Sequence, residues 1–197
     1  MLKNQNYQIS LNEVCVYYPE PVIPRNVEKI KDAIRKVEIF NVLHDDEIAL
    51  LAQRAKALVV GLPQKIIQQG DVGTSMFIVE SGRLDAFVTQ HDQEIKVGIS
   101  EAGSFIGEMS LLTGEPRAAT IRAASDSTLY EIQKEDIVEL FEHRTELVEE
   151  ISKVIAHRSL EMQVAKSNSM KVIDETEEIG MANKVRDRIQ KFFSLPI

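Results

Sequence analysis

Between residues 57 and 132 the chain reads as a series of short β-rich runs, at 58–62, 65–69, 76–79, 84–89, 95–99, 120–124 and 128–132. Turn residues separate them: Gly70-Asp71, Ser81-Gly82, His91-Asp92, Glu101 to Gly103 and Ser125-Asp126. Strands this short and this closely spaced bury an apolar face only by curling into a sandwich or a jelly-roll barrel. On both sides the apolar spacing changes to three and four. Ile30, Ile34 and Val37 are followed by Ile48, Leu51, Ala52 and Ala55, with Asp45 as the expected N-cap of the second helix. After Lys134 come Ile137, Val138, Leu140 and Phe141, then Leu147, Ile151, Val154, Ile155, Leu160 and Met162. The expected fold class is α+β, an antiparallel β jelly-roll barrel with flanking N- and C-terminal helices.

Three segments follow from this reading. Residues 1–26 carry Tyr17, Tyr18, Pro19, Pro21 and Pro24, and the prolines favour an extended arm or linker. Residues 27–166 form the domain, with the barrel at 57–132 and closing helices at 134–166. A polar run from Lys166 to Ser169 marks a break, and 167–197 form a helical extension. In that extension Ile179, Ala182, Val185, Ile189 and Phe192 share one side of a helix from about Glu175 to Phe193. This side either packs on its own domain or, with the Phe192-Phe193 pair, forms a self-association surface and a homo-oligomer.

Charge and composition exclude several classes. The formal charge of −8 disfavours a broad phosphate-tracking surface, so nucleic acid is not an expected partner. Cys15 is the only cysteine, which rules out an intramolecular disulfide. No apolar run approaches the roughly 20 residues of a membrane span, and the Met1 end lacks the basic-then-apolar order of a signal peptide. The expected location is cytoplasmic. A metal- or histidine-dependent barrel enzyme of the cupin type would need several converging histidines, yet His91 is the only one in the barrel region and lies at a turn. No nucleophile–base pair is visible either, so no enzyme, metal or cofactor is expected.

The barrel pattern is interrupted by Phe105-Ile-Gly-Glu-Met-Ser-Leu-Leu-Thr-Gly-Glu-Pro-Arg-Ala-Ala-Thr120. Met109, Leu111 and Leu112 followed by Thr113-Gly114 read as one or two helical turns with an exit loop. Gly107 at the start of that helix lets backbone N–H groups face an anion, and Arg117 can close over it. Glu108 beside the glycine can accept hydrogen bonds from vicinal hydroxyls of a sugar. Pro116 stiffens the approach to Arg117, and Ala118 and Ala119 leave room beside it. The plain alternative is a surface loop with an ordinary arginine.

This run resembles the phosphate-binding cassette of the cyclic-nucleotide-binding domain family of protein kinase A regulatory subunits, catabolite activators and cyclic-nucleotide-gated channels. Gly70-Asp-Val-Gly-Thr-Ser-Met-Phe-Ile-Val-Glu-Ser-Gly82 resembles the family's strand-and-turn signature. The resemblance implies a cyclic-nucleotide ligand. Arg117 would pair with the cyclic phosphate, with backbone N–H groups of Ser110 and Ala118 on the same phosphate. Gly107, through its backbone, and Glu108 would hold the ribose 2′-hydroxyl. Met109, Ala118 and Ala119 are counted with them as ligand-binding positions, and Val97 and Ile99 are expected neighbours of the purine. Guanine-preferring members often carry threonine directly after the arginine. Ala118 stands there, so cyclic AMP is expected over cyclic GMP.

The same resemblance implies a regulatory output through the helices after the barrel, acting as a lid, with contacts expected around residues 155–162, although helical spacing also explains these as core, the better reading for Ile155. Arm and cassette are also similar to the cytosolic region of bacterial cyclic-nucleotide-regulated channels, which would tether the chain to a membrane protein. The alternative is a scaffold that kept the barrel and lost the ligand.

Overall fold

The computed structural model describes residues 26–167 and 174–195, the side chains of 161–167 excepted. Residues 1–25 of the expected arm, 168–173 and 196–197 lie outside the described residues; of the break expected at 166–169, residues 166 and 167 are helical and 168 and 169 fall outside. Helix α1 (Val27–Arg35) begins where the Asn26 side chain accepts from the Lys29 amide at 3.1 Å, with Ile30, Ala33 and Ile34 on its buried side. A short 3-10 turn (Glu38–Phe40) leads to α2 (Asp45–Arg54). Here the cap differs from expectation: the N-cap position is His44, whose amide donates to the Glu47 carboxylate at 2.7 Å. Asp45 instead faces Arg35, at 2.9 Å, and so does not serve as the cap.

The strands are β1 (Lys56–Val60), β2 (Lys65–Ile67), β3 (Ser75–Ser81), β4 (Arg83–Gln90), β5 (Gln93–Glu101), β6 (Phe105–Ile106), β7 (Thr120–Ala123) and β8 (Ser127–Gln133). Between β6 and β7 sits α3 (Glu108–Thr113). The strands form two antiparallel four-stranded sheets, ordered β1-β8-β3-β6 and β2-β7-β4-β5, which is the expected jelly roll with flanking helices. Each expected run overlaps a strand, although 61–62, 68–69 and 124 fall outside the strands, and β6 adds a two-residue strand that no run predicted.

Alternation divides the core in two. Phe77 and Val79 of β3 join Leu84, Ile106, Ile121 and Leu129 between the sheets. Met76 and Ile78, one residue out of step, face a larger cluster with Ile34, Phe40, Leu51, Phe141 and Ile155 from the helices. Strand β3 is thus buried on both faces. Leu111 and Leu112 of α3 belong to the helical cluster, so the cassette helix is packed against the flanking helices.

Among the described residues three further helices follow the barrel: α4 (Lys134–His143), α5 (Leu147–Ser167) and α6 (Glu175–Phe193). At the α4–α5 turn Arg144 donates to the Val42 carbonyl at 2.6 Å and pairs with Glu47 at 3.2 Å and Glu150 at 3.5 Å. Helix α6 packs along α5 and buries Ala182, Val185, Ile189 and Phe193. The expected apolar side is therefore covered by this chain itself, while Ile179 is exposed. Phe193 takes the inward position expected of Phe192, its ring edge-on to Phe141 at 5.0 Å.

Candidate functional site

The chain leaves β6 through Gly107, whose φ of +82° lies in the left-handed region, and enters the six-residue helix α3 at Glu108. Amides in the first turn of a helix have no intrahelical acceptor. The helix stops at Gly114, also left-handed at +71°. Pro116 then bridges to Val72, the Arg117 amide donates to the Asp71 carbonyl at 2.8 Å, and the Gly70 amide donates to the Arg117 carbonyl at 2.9 Å. The Gly70–Gly73 turn and the arginine are thereby zipped together backbone to backbone.

The Arg117 side chain is folded into the protein. Its Nη1 donates to the Gly107 carbonyl at 2.9 Å and its Nη2 to Ser75 Oγ at 3.3 Å. A Cβ on Gly73 would overlap the guanidinium, and so would one on Gly107, so two glycines form the slot that Arg117 runs through. Burial pulls the Arg117 pKa below its usual value, while Glu108, Asp71 and Glu131 oppose that shift. A guanidinium keeps its charge at any physiological pH, so the slot holds a cation with donor capacity to spare.

Glu108 is buried, and burial pushes its carboxyl above the usual carboxylate range. Arg158 of α5 acts against that shift, followed by the residue's own backbone amide and Arg117. Arg158 stands 3.8 Å from the Glu108 carboxylate and 4.0 Å over the Phe105 ring, tying α5 to the start of the cassette. The site thus offers one buried cation, one buried carboxylate and a helix start within a single thirteen-residue excursion from the barrel, a combination that can take up both an anion and a hydroxyl.

The structure brings Gly107, Glu108 and Arg117 together. Ser110 is buried and Met109 half-buried within α3; Ala118 is exposed, and Ala119 is half-buried against the core between the sheets. The expected purine neighbours sit on the edge strand β5, both exposed. Ile99 pairs with Asp85, whereas Ser100 and Gly98 pair with the inward Leu84 and Ala86; Ile99 therefore faces outward and is corrected from base neighbour to outer surface. Val97 sits at a register shift opposite Ala86 and Phe87. Of the expected lid contacts, Ile155 and Leu160 are core. The Met162 side chain lies outside the described residues.

Sequence reasoning missed Gly73, Ser75 and Arg158. The first two fall inside the quoted turn-and-strand signature, where the glycine was readable. Arg158 carries no local signal, since only the return of α5 over α3 brings it to Glu108.

Residues 63–144 match the family described as cyclic nucleotide-binding domain. A cAMP-dependent protein kinase regulatory subunit from Mucor circinelloides f. lusitanicus is 37% identical over 116 residues, 58% of this chain and 26% of that protein. The chain thus spans about a quarter of the length of this curated relative. Among solved structures, the regulatory domain of Toxoplasma gondii PKA with cAMP has a TM-score of 0.57 at 20% identity, covering 68% of this chain and 59% of that one. Thermus thermophilus catabolite activator protein has a TM-score of 0.55 at 22% identity, covering 80% and 85%. At these identities the likeness is one of fold.

Proposed function

We propose that this chain, whose residues 63–144 belong to the cyclic nucleotide-binding domain family, is a regulatory module that takes cyclic AMP in preference to cyclic GMP. The observation that carries this reading is Arg117, a buried guanidinium in a slot of two glycines beside the first turn of α3. Arg117 meets the cyclic phosphate, with the Ser110 and Ala118 amides as further donors. Glu108 and the Gly107 backbone take the ribose 2′-hydroxyl. Ala118, exposed and without a hydroxyl, supplies nothing for a guanine amino group.

The helices after the barrel carry the response. Arg158 connects α5 to Glu108, so a hydroxyl arriving at that carboxylate competes with the arginine or is shared with it. Only a difference in affinity between two helix positions lets the ligand move them. Calorimetric titration with each nucleotide tests the reading: cyclic AMP binds more tightly. Tighter binding of cyclic GMP overturns the base preference, and no heat from either overturns the ligand class in favour of a non-binding scaffold.

The finer setting is the cytosolic regulatory part of a membrane channel, supported by the resemblance of the arm and cassette to such proteins. Among the described residues no helix is long and apolar enough to cross a membrane, so membrane attachment would come from elsewhere. Recovery of the native protein wholly in the soluble fraction of a lysate overturns this setting.

A further inference from the structure

Helix α6 lies outside the residues matched to the family, yet it ends against the cassette. The Phe192 ring fills the space beside Gly114, where a Cβ would overlap it. Arg188, one turn earlier, pairs with Glu115. Lys134, the first residue of α4, donates to the Phe192 carbonyl at 2.8 Å and stands 3.6 Å from the centre of its ring. Phe193 anchors this turn in the helical core against Phe141. Positions 114 and 115 are thus held from outside by α6, immediately before Pro116 and Arg117.

We propose that the end of α6 is a latch on the exit of the cassette: Phe192 and Arg188 are positioning residues for Arg117, and α6 docking and nucleotide occupancy reinforce each other. The ligand part of this inference rests on the cyclic-nucleotide reading above. Gly114 is left-handed and without a side chain, a conformation from which a glycine departs at little steric cost. Between that hinge and Arg117 the loop is fixed on its inner side by the Val72–Pro116 bridge and on its outer side by α6. Removing the outer contact spreads the loop over more conformers, and affinity falls with the fraction that remains competent. By linkage, nucleotide that selects the ordered loop must strengthen α6 docking by the same factor.

The test uses the whole chain with Phe192→Ala and the charge swap Glu115→Arg with Arg188→Glu. Without ligand, Phe192→Ala speeds hydrogen exchange at 114–119 while β3 and β8 keep their protection. Its cyclic AMP affinity falls about fivefold or more, the lower bound of ordinary coupling between sites. In the parent chain cyclic AMP slows exchange at 186–193. Each single charge reversal loosens the loop and the double swap restores it, a rescue that general destabilisation does not give. Unchanged exchange at 114–119 in Phe192→Ala, or a swap that fails to restore it, overturns the latch. Unchanged affinity with no protection of α6 overturns the coupling. Absence of any heat from the parent chain removes the nucleotide reading and the coupling with it, while exchange at 114–119 still decides whether α6 holds the loop.

Discussion

Arg117 occupies the space that a side chain on residue 73 would need: its Nε and Cζ overlap the Cβ position of Gly73. Those atoms belong to the guanidinium itself, whose Nη atoms donate to the Gly107 carbonyl and Ser75, so the arginine cannot make room without leaving both. Gly73→Ala is therefore expected to weaken cyclic AMP binding nearly as much as loss of the arginine. Overpacking of this kind also costs roughly 1–3 kcal/mol of stability. Paired calorimetry and denaturant titration check it; an alanine variant with parental affinity shows that Arg117 does not work from this slot.

Removal of the guanidinium itself should be the largest single loss in the site. A hydrogen bond with a charged partner is worth roughly 1.5–3 kcal/mol, which makes Arg117→Ala about tenfold to a hundredfold or more weaker for cyclic AMP. Titration of the variant measures this directly, and unchanged affinity dismisses Arg117 as the phosphate partner.

Glu108→Ala is expected to cost less than Arg117→Ala, because the hydroxyl it accepts from is neutral. The variant should make no distinction between cyclic AMP and its 2′-deoxy analogue, whereas the parent chain favours the former. If the variant still discriminates between the two, the ribose contact belongs to another residue.

Burial raises the Glu108 carboxyl, and the sign of its effect on stability follows. Between the ordinary carboxylate value of about 4.3 and the raised folded value, the native chain holds a proton that the unfolded chain has lost. The native state then binds more protons, so this group's contribution to stability is greatest at low pH and declines as pH rises through the folded value. Glu108→Gln removes that decline. Thermal midpoints of parent and variant, followed upward from about pH 4, should diverge in favour of the glutamine chain; a constant difference overturns the assignment.

What was readable in the amino acids was whatever repeats with a local period. Ala182, Val185 and Ile189 mark the buried side of a helix, and the out-of-step pairs Met76/Ile78 and Phe77/Val79 are both apolar because β3 has cores on each face. Strand β6 contains two residues, too few to show any period. Ile99 could be placed on its strand but not on a face, since the facing of β5 is set by pairing with β4 and by the irregularity near Ala86. Within the cassette, Gly107, Glu108 and Arg117 were legible because they lie in one short excursion. Arg158 and Phe192 reach the cassette only through tertiary packing, which leaves no trace in local spacing.

Arg144 fastens the α4–α5 turn to the Val42 carbonyl and to Glu47, on the far side of the barrel in chain order. The helices before and after the barrel therefore meet directly at Arg144, as they do again where Arg54 of α2 pairs with Glu139 of α4. Arg144 at one end of α5 and Arg158 further along it thus give that helix two ionic anchors, one on the segment before the barrel and one on the cassette, with no strand between them.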